Sequence, residues 1–242
     1  MLKNQIRKQA IKDRLSLSDS VYHELNKALL KQFKTLDFNG IKTLHVFLPI
    51  TEKKEPDTFL LIGWLNKTHP EIKIIVPKAD FETALMTHHE YLGEEDLKKN
   101  LYNILEPQKG NLHEGEIDMV IIPLLAFDNQ GYRVGYGKGF YDRFLRNINA
   151  QKIGLSLHPA IEKIDDVNEH DIKLDFCITP TEIINFKLTG MPHEIVIKTE
   201  KQYEDNMIAV FELQEKEELT AEDLKQIELM LKAGEKYEAE HL

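Results

Sequence analysis

The stretch that most limits what this chain can become runs from Pro123 to Leu145. Four of the chain's 12 glycines fall inside it, at 131, 135, 137 and 139. An unbroken apolar run, Met119 to Ile122, feeds it, and a helical pattern of Tyr141, Phe144, Leu145 and Ile148 leaves it. A strand that is apolar throughout is buried on both faces, as in a parallel sheet. Glycines let backbone N–H groups close on a ligand, and a helix start adds unpaired donors and a positive dipole end. Arg133 and Lys138 add fixed positive charge, and Asp142 is a carboxylate suited to Mg2+. These residues together predict a nucleotide-phosphate loop with its metal ligand. A tight structural turn is the bland alternative, but it rarely needs three alternating glycines. It also gives no reason for two cations and an acid beside them. The loop is not a Walker loop, because no Ser or Thr follows Lys138. Nor does it space its glycines as the dinucleotide fingerprint does.

The rest of the chain alternates. Residues 3 to 34 read as two helices broken at Ser18-Asp19-Ser20, the second carrying Val21, Leu25, Leu29 and Phe33 on one face. Lys8, Lys12 and Arg14 in the first helix read as a solvated basic face. Strands are predicted over Thr43–Leu48, Ile72–Val76 (ended by Pro77), Ala84–His88, Ile117–Pro123, Lys152–Leu157 and Leu174–Thr179. Helices are predicted over Phe59–Asn66, capped by Asp57 or Thr58, and from Phe140 to Ile148. Alternation at these lengths predicts βαβ units and a mostly parallel sheet. His88-His89 resembles a metal pair, but adjacent strand residues point to opposite faces. Leu101 to Pro107 reads as irregular, with apolar anchors and one carboxylate, Glu106. Asp165, Asp166, Glu169, Asp171 and Asp175 form an acidic cluster that reads either as a solvated loop or as one carboxylate at a strand start facing the metal.

Charge divides the chain near residue 188. From there to Leu242 six Lys and no Arg face 14 acidic residues, whereas the first 187 residues are nearly neutral. This predicts a body over 1–187 and an acidic extension over 188–242. Strands are expected in the extension at Glu194–Lys198 and Met207–Leu213. A helix is expected from a capping box at Thr220–Asp223, with Leu224, Ile227 and Leu231 inward. A net charge of −10 argues against a nucleic-acid partner. One cysteine, Cys177, and the lack of a membrane-length apolar run predict a cytoplasmic protein with no membrane partner.

The residues of the loop resemble a known family. Ala126-Phe127-Asp128, Gly131, Arg133, Gly135 and Gly137-Lys138-Gly139-Phe140-Tyr141-Asp142-Arg143 resemble the hallmark of 5-formyltetrahydrofolate cyclo-ligases. Further pieces follow in the family's order. They are Lys3 and Arg7, Phe47-Leu48-Pro49, Glu55-Pro56-Asp57-Thr58, Ile104-Leu105-Glu106-Pro107, and Leu174-Asp175. The resemblance covers about residues 2 to 187, and the extension has no counterpart in it.

The resemblance implies a three-layer α/β/α sandwich of the Rossmann-like kind seen in NagB, RpiA and coenzyme A transferases, with a small α+β extension. It implies that 5-formyltetrahydrofolate, ATP and Mg2+ give 5,10-methenyltetrahydrofolate, ADP and phosphate, by phosphorylation of the formyl oxygen and ring closure by N10. Lys138 and Arg133 would be catalytic. Lys3, Arg7, Arg133, Gly135, Gly137, Lys138, Gly139 and Tyr141 would bind ATP. Leu48, Glu55, Tyr136, Phe140 and Tyr102 would bind the folate, and Asp142 and Asp175 would hold Mg2+. The enzyme would act as a monomer or weak homodimer on small molecules alone. Two rivals are a sugar-phosphate isomerase or coenzyme A transferase on the same scaffold, and a non-catalytic folate or nucleotide-binding module. Pairing Lys138 with Asp142 favours a nucleotide and metal over the first, and the intact cations argue against the second.

Overall fold

The computed structural model describes residues 1–187, 197, 199–216 and 219–241, and its chain divides into two compact units, Met1–Phe186 and Lys187–Leu242. The first unit opens with helices α1 (Lys3–Ser16) and α2 (Asp19–Phe33). The break between them is the predicted cap, with Ser18 Oγ accepting from Val21 N at 3.3 Å. Strand β1 (Thr43–Val46), helix α3 (Thr58–Thr68), strands β2 (Lys73–Asp80) and β3 (Leu85–Glu90), and the short strands β4 (Leu97–Lys99) and β5 (Leu105–Pro107) follow. Then come β6 (Met119–Pro123), β7 (Ala126–Phe127), β8 (Arg133–Val134), helix α4 (Phe140–Leu145), and strands β9 (Gln151–Leu155), β10 (Phe176–Ile178) and β11 (Ile183–Asn185). Asp57 starts α3 as expected, its carboxylate accepting from Phe59 N at 3.2 Å.

The main sheet has seven strands in the order β11-β10-β9-β6-β1-β2-β3. Its five inner strands are parallel, and β3 and β11 pair antiparallel at the two edges. The apolar run Met119–Ile122 lies at the centre and is fully buried. Its period of two splits it between two cores. Met119 and Ile121 pack with Leu29 and Phe33 of α2 and Leu61 and Leu65 of α3. Val120 and Ile122 pack with Leu145 of α4 and Leu174. This is the predicted mostly parallel α/β arrangement with helices on both sides. A smaller cluster joins Ile6 of α1 to Ala126 and Val134 of the β7–β8 hairpin.

Four local expectations change. Pro77 does not end β2. The strand there has passed Ile75, its last partner on β1, so on that side no ladder bond awaits the missing N–H. Residues 105–107 form a strand, β5, paired antiparallel with β4. Helix α4 stops at Leu145, short of Ile148. Arg14 is not on a solvated face but buried at 3% exposure.

The second unit is a pair of helices, α5 (Glu200–Gln214) and α6 (Ala221–His241). Met207–Leu213 is therefore helix, not strand. The apolar alternation there also satisfies a helical stripe, and Thr199 caps the helix by accepting from Gln202 N at 3.2 Å. The expected strand Glu194–Lys198 lies outside the described residues except for Ile197. The capping box forms, with Asp223 N donating to Thr220 Oγ1 at 3.1 Å and Thr220 N to Asp223 Oδ2 at 3.0 Å. Ile227 packs inward with Val210 and Met230, whereas Leu224 and Leu231 stay exposed. Among the described residues no helix is long and apolar enough to cross a membrane.

Candidate active site

A cavity of about 690 Å³ opens where the parallel strands reach their C-terminal ends, the usual ligand position in such sheets. Leu48 reaches it just beyond β1, Pro123 at the end of β6, and Pro77 and Ala79 from the far half of β2. The glycine loop is carried there by the β7–β8 hairpin, whose turn is organised by Asp128. That fully buried carboxylate accepts from Gln130 N and Tyr132 N at 3.0 Å, and from Ile164 N at 3.1 Å.

Helix α1 lies across the loop. Arg7 Nε donates to the Gly135 carbonyl at 2.9 Å, and the guanidinium packs on Gly137. Gly137 has φ +92°, and a Cβ there would come within 3.2 Å of Arg7 Cζ. Two requirements, left-handed backbone and close approach, thus explain that glycine. Gly139, at φ +69°, starts α4. Helix α4 spans six residues, so positive charge at this end comes mainly from side chains. Lys138 is exposed and lines the cavity, and its ammonium makes no ion pair with any described residue.

Arg133 is buried behind the loop. It donates through Nη2 to Asp142 Oδ1 at 2.7 Å and through Nη1 to the Ile172 carbonyl. Burial pulls its pKa down and Asp142 opposes that. Lys3 Nζ meets Asp171 Oδ2 at 2.5 Å, and Asn168 N donates to the same oxygen at 2.7 Å. The acidic stretch also fixes the start of α1, where Lys3 N donates to Asp166 Oδ1 at 2.7 Å.

Of the expected site residues, Lys3, Arg7, Leu48, Glu55, Tyr102, Arg133, Gly135, Tyr136, Gly137, Lys138, Gly139, Phe140, Tyr141 and Asp142 all line the one cavity. Asp175 does not. It precedes β10, at the N-terminal end of the parallel strands, and its Oδ2 accepts from Lys152 N at 2.8 Å. The carboxylate that stands with Asp142 is Asp171. It was visible in sequence only as a member of the acidic cluster.

The other end of the cavity is apolar and encloses one carboxylate. Glu55 is 3% exposed and accepts from Ile50 N at 2.7 Å, and the Tyr136 hydroxyl helps to hold its pKa down. Burial raises its pKa, and Arg14 and Lys53 pull it back. Lys53 Nζ sits 4.3 Å from the Tyr136 ring centroid. Phe81, which sequence reasoning did not place in the site, joins Tyr102 (centroids 4.1 Å apart) and Phe140 (5.3 Å) in an aromatic wall. The Tyr141 hydroxyl is buried without a hydrogen-bond partner among the described residues, and burial pushes its pKa well up. Glu106 lines the cavity beside Ile104 and Leu105 and accepts from Asn100 Nδ2 at 2.7 Å.

The histidine pair divides as expected. His88 packs against Phe144, with centroids 4.1 Å apart and the rings tilted by 31°, while His89 Nδ1 faces the Gly110 carbonyl at 2.9 Å. Among the described residues no three acidic, His or Cys side chains cluster as a metal cage. The arrangement is suited to neutralising a polyanion at one end and holding a flat, partly polar molecule at the other.

Residues 1–180 match the model of the 5-formyltetrahydrofolate cyclo-ligase family. The chain is 29% identical over 182 residues to a 5-formyltetrahydrofolate cyclo-ligase of Mycoplasma pneumoniae, covering 74% of this chain and 98% of that protein. It is 26% identical over 174 residues to the mouse protein of that name, covering 64% and 83%. Its fold is similar to the solved 5,10-methenyltetrahydrofolate synthetase of Aquifex aeolicus, with a TM-score of 0.66 at 27% identity, covering 83% of this chain and 98% of that one. It is also similar to the Mycoplasma pneumoniae synthetase, with a TM-score of 0.56 at 25% identity, covering 74% and 99%.

Proposed function

This chain belongs to the 5-formyltetrahydrofolate cyclo-ligase family, and we propose that it converts 5-formyltetrahydrofolate to 5,10-methenyltetrahydrofolate, with ATP giving ADP and phosphate. The observation that carries this reading is the two-ended cavity, in which Lys3, Arg7 and Lys138 crowd one end and Glu55 and an aromatic wall form the other. ATP takes the cationic end and the pterin lies toward Glu55, so the formyl group meets the γ-phosphate near the glycine loop. A formamide oxygen leaves poorly until it is phosphorylated. Its attack on the γ-phosphorus breaks the bond to ADP, and N10 then closes the ring as phosphate departs. Phosphoryl transfer asks the protein mainly for alignment and charge neutralisation. Lys138 is the cation free to follow the transferring oxygens. Arg7 holds the loop in place, and Arg133 positions Asp142 rather than reaching the phosphates itself.

The site fits one Mg2+. Asp142 is engaged through Oδ1 and Asp171 through Oδ2, which leaves each one oxygen without a hydrogen-bond partner among the described residues. Mg2+ commonly takes one or two carboxylates and completes its shell with phosphate oxygens and water. When bound, it would neutralise phosphate charge. The single buried Cys177 accords with a reducing cytoplasm.

Mixing the protein with 5-formyltetrahydrofolate and Mg2+ tests the reading. Growth of the methenyl-folate absorbance band only when ATP is added is expected. Folate binding without growth of the band would leave a binding module and end the catalytic proposal.

A further inference from the structure

Arg14 has no part in the reaction as described above, yet its burial demands a reason. It shares a helix face with Lys3 and Arg7, at spacings of four and eleven residues. It is 3% exposed and makes no ion pair with any described residue. Its guanidinium donates to the Leu124 carbonyl at 2.6 Å and to the Tyr136 hydroxyl at 3.4 Å. A buried cation without a countercharge is costly, so one that persists needs a negative partner close by. The Tyr136 hydroxyl in turn acts on such a partner, the Glu55 carboxylate, helping to hold its pKa down.

We propose that Arg14 is a positioning residue that acts through the Tyr136 hydroxyl to keep the Glu55 carboxylate ionised and aimed into the cavity. The direction of the relay is set by chemistry. Arginine has donors only, so Tyr136 must accept from Arg14, which leaves its one hydrogen available to Glu55. The carboxylate is thereby left as an acceptor toward ligand N–H groups. Other groups face Glu55 from every side. The Ile50 amide follows β1, Lys53 lies in the turn of residues 51–53, Tyr22 of α2 donates to the Glu55 carbonyl at 2.5 Å, and Tyr141 of α4 stands nearby. Burial of Glu55 favours its neutral form, and Arg14 and Lys53 are the cations that oppose it. The role in substrate binding rests on the reading of Glu55 as the pterin contact.

The test is a carbon-13 titration of glutamate carboxyls in the full-length protein, with Glu55 assigned by Glu55→Gln. The Glu55 midpoint is expected to rise by about one pH unit or more in Arg14→Met and in Tyr136→Phe, and to stay near wild type in Arg14→Lys. Below that midpoint, KM for 5-formyltetrahydrofolate should rise about tenfold in Arg14→Met while KM for ATP changes less than twofold. An unmoved midpoint in both Arg14→Met and Tyr136→Phe overturns the relay. If Arg14→Met fails to fold by circular dichroism, Tyr136→Phe alone decides. A moved midpoint with an unchanged folate KM keeps the relay and instead removes the pterin from Glu55.

Discussion

Lys138 is exposed and makes no ion pair with any described residue, whereas Arg133 is buried and committed to Asp142. The two cations singled out by the loop therefore have different tasks. Lys138→Ala should lower kcat by roughly 100-fold or more, the scale for removing one preorganised transition-state charge, with an unchanged melting temperature. A rate near wild type, in a steady-state assay at saturating substrates, would take Lys138 out of its role. The metal carboxylates separate in the same way. Asp171→Asn should raise the Mg2+ concentration needed for half-maximal rate by roughly tenfold, the scale of a lost ligand or its partner. Asp175→Asn should leave that dependence alone and instead weaken the β9–β10 start by about 1 kcal/mol, read in a denaturant melt. Residue type and order made the loop legible, down to Lys138 and Asp142. They did not separate Asp171 from Asp175, four positions apart, because which end of a parallel sheet a carboxylate occupies depends on the crossover path. Arg14 was misread for a related reason. Its spacing from Lys3 and Arg7 puts it on their helix face, but composition alone cannot say that the face is covered.

At the scale of elements, the β2–β3 hairpin does more than close an edge. Its turn carries Phe81 onto Tyr102 and Phe140, and Arg143 ties it down by donating to the Ala84 carbonyl at 2.9 Å and to the Lys138 carbonyl at 2.6 Å. Phe81→Ala should raise KM for the folate by about tenfold, one lost aromatic contact, and leave KM for ATP within twofold. Equal rises in both would show that the hairpin serves the whole cavity. Strands β1 and β3 each carry a histidine, the buried His45 and the half-buried His88. His45 is wholly buried, neither ring nitrogen has a hydrogen-bond partner among the described residues, and burial holds its pKa well below the ordinary value. Burial also brings His88 down to about 4, with His113 and His89 adding to the shift. A depressed histidine binds fewer protons folded than unfolded. Its stability contribution is complete above about pH 6.5 and is lost as pH falls toward 4. His88 alone should cost on the order of 1–2 kcal/mol by pH 5, and His88→Phe should flatten that part of the profile in urea melts. The strands themselves were readable from apolar runs. What failed were ends and edges: Pro77 inside β2, the unannounced β11, and a short α4. These depend on whether a neighbour needs a given backbone group.

For the whole molecule, the composition break near residue 188 coincides with the division between Met1–Phe186 and Lys187–Leu242. The first unit contains the entire described cavity and its cores, so a chain ending at Lys187 should keep kcat within about twofold. A large loss in that truncation, in the same assay, would give the helical pair a catalytic duty. The extension's helix from Thr220 was legible through its capping box, whereas Met207–Leu213 was not, since short apolar runs fit either period. What the molecule as a whole is built to do is bring a formyl oxygen to a phosphate held over the glycine loop. The direct measurement uses 5-formyltetrahydrofolate labelled with oxygen-18 in the formyl group, turned over with ATP and Mg2+. One labelled oxygen per phosphate released, in step with ADP and methenyl product, is the predicted result. Unlabelled phosphate beside labelled water would contradict it, because the formyl oxygen would then have left without ever being phosphorylated.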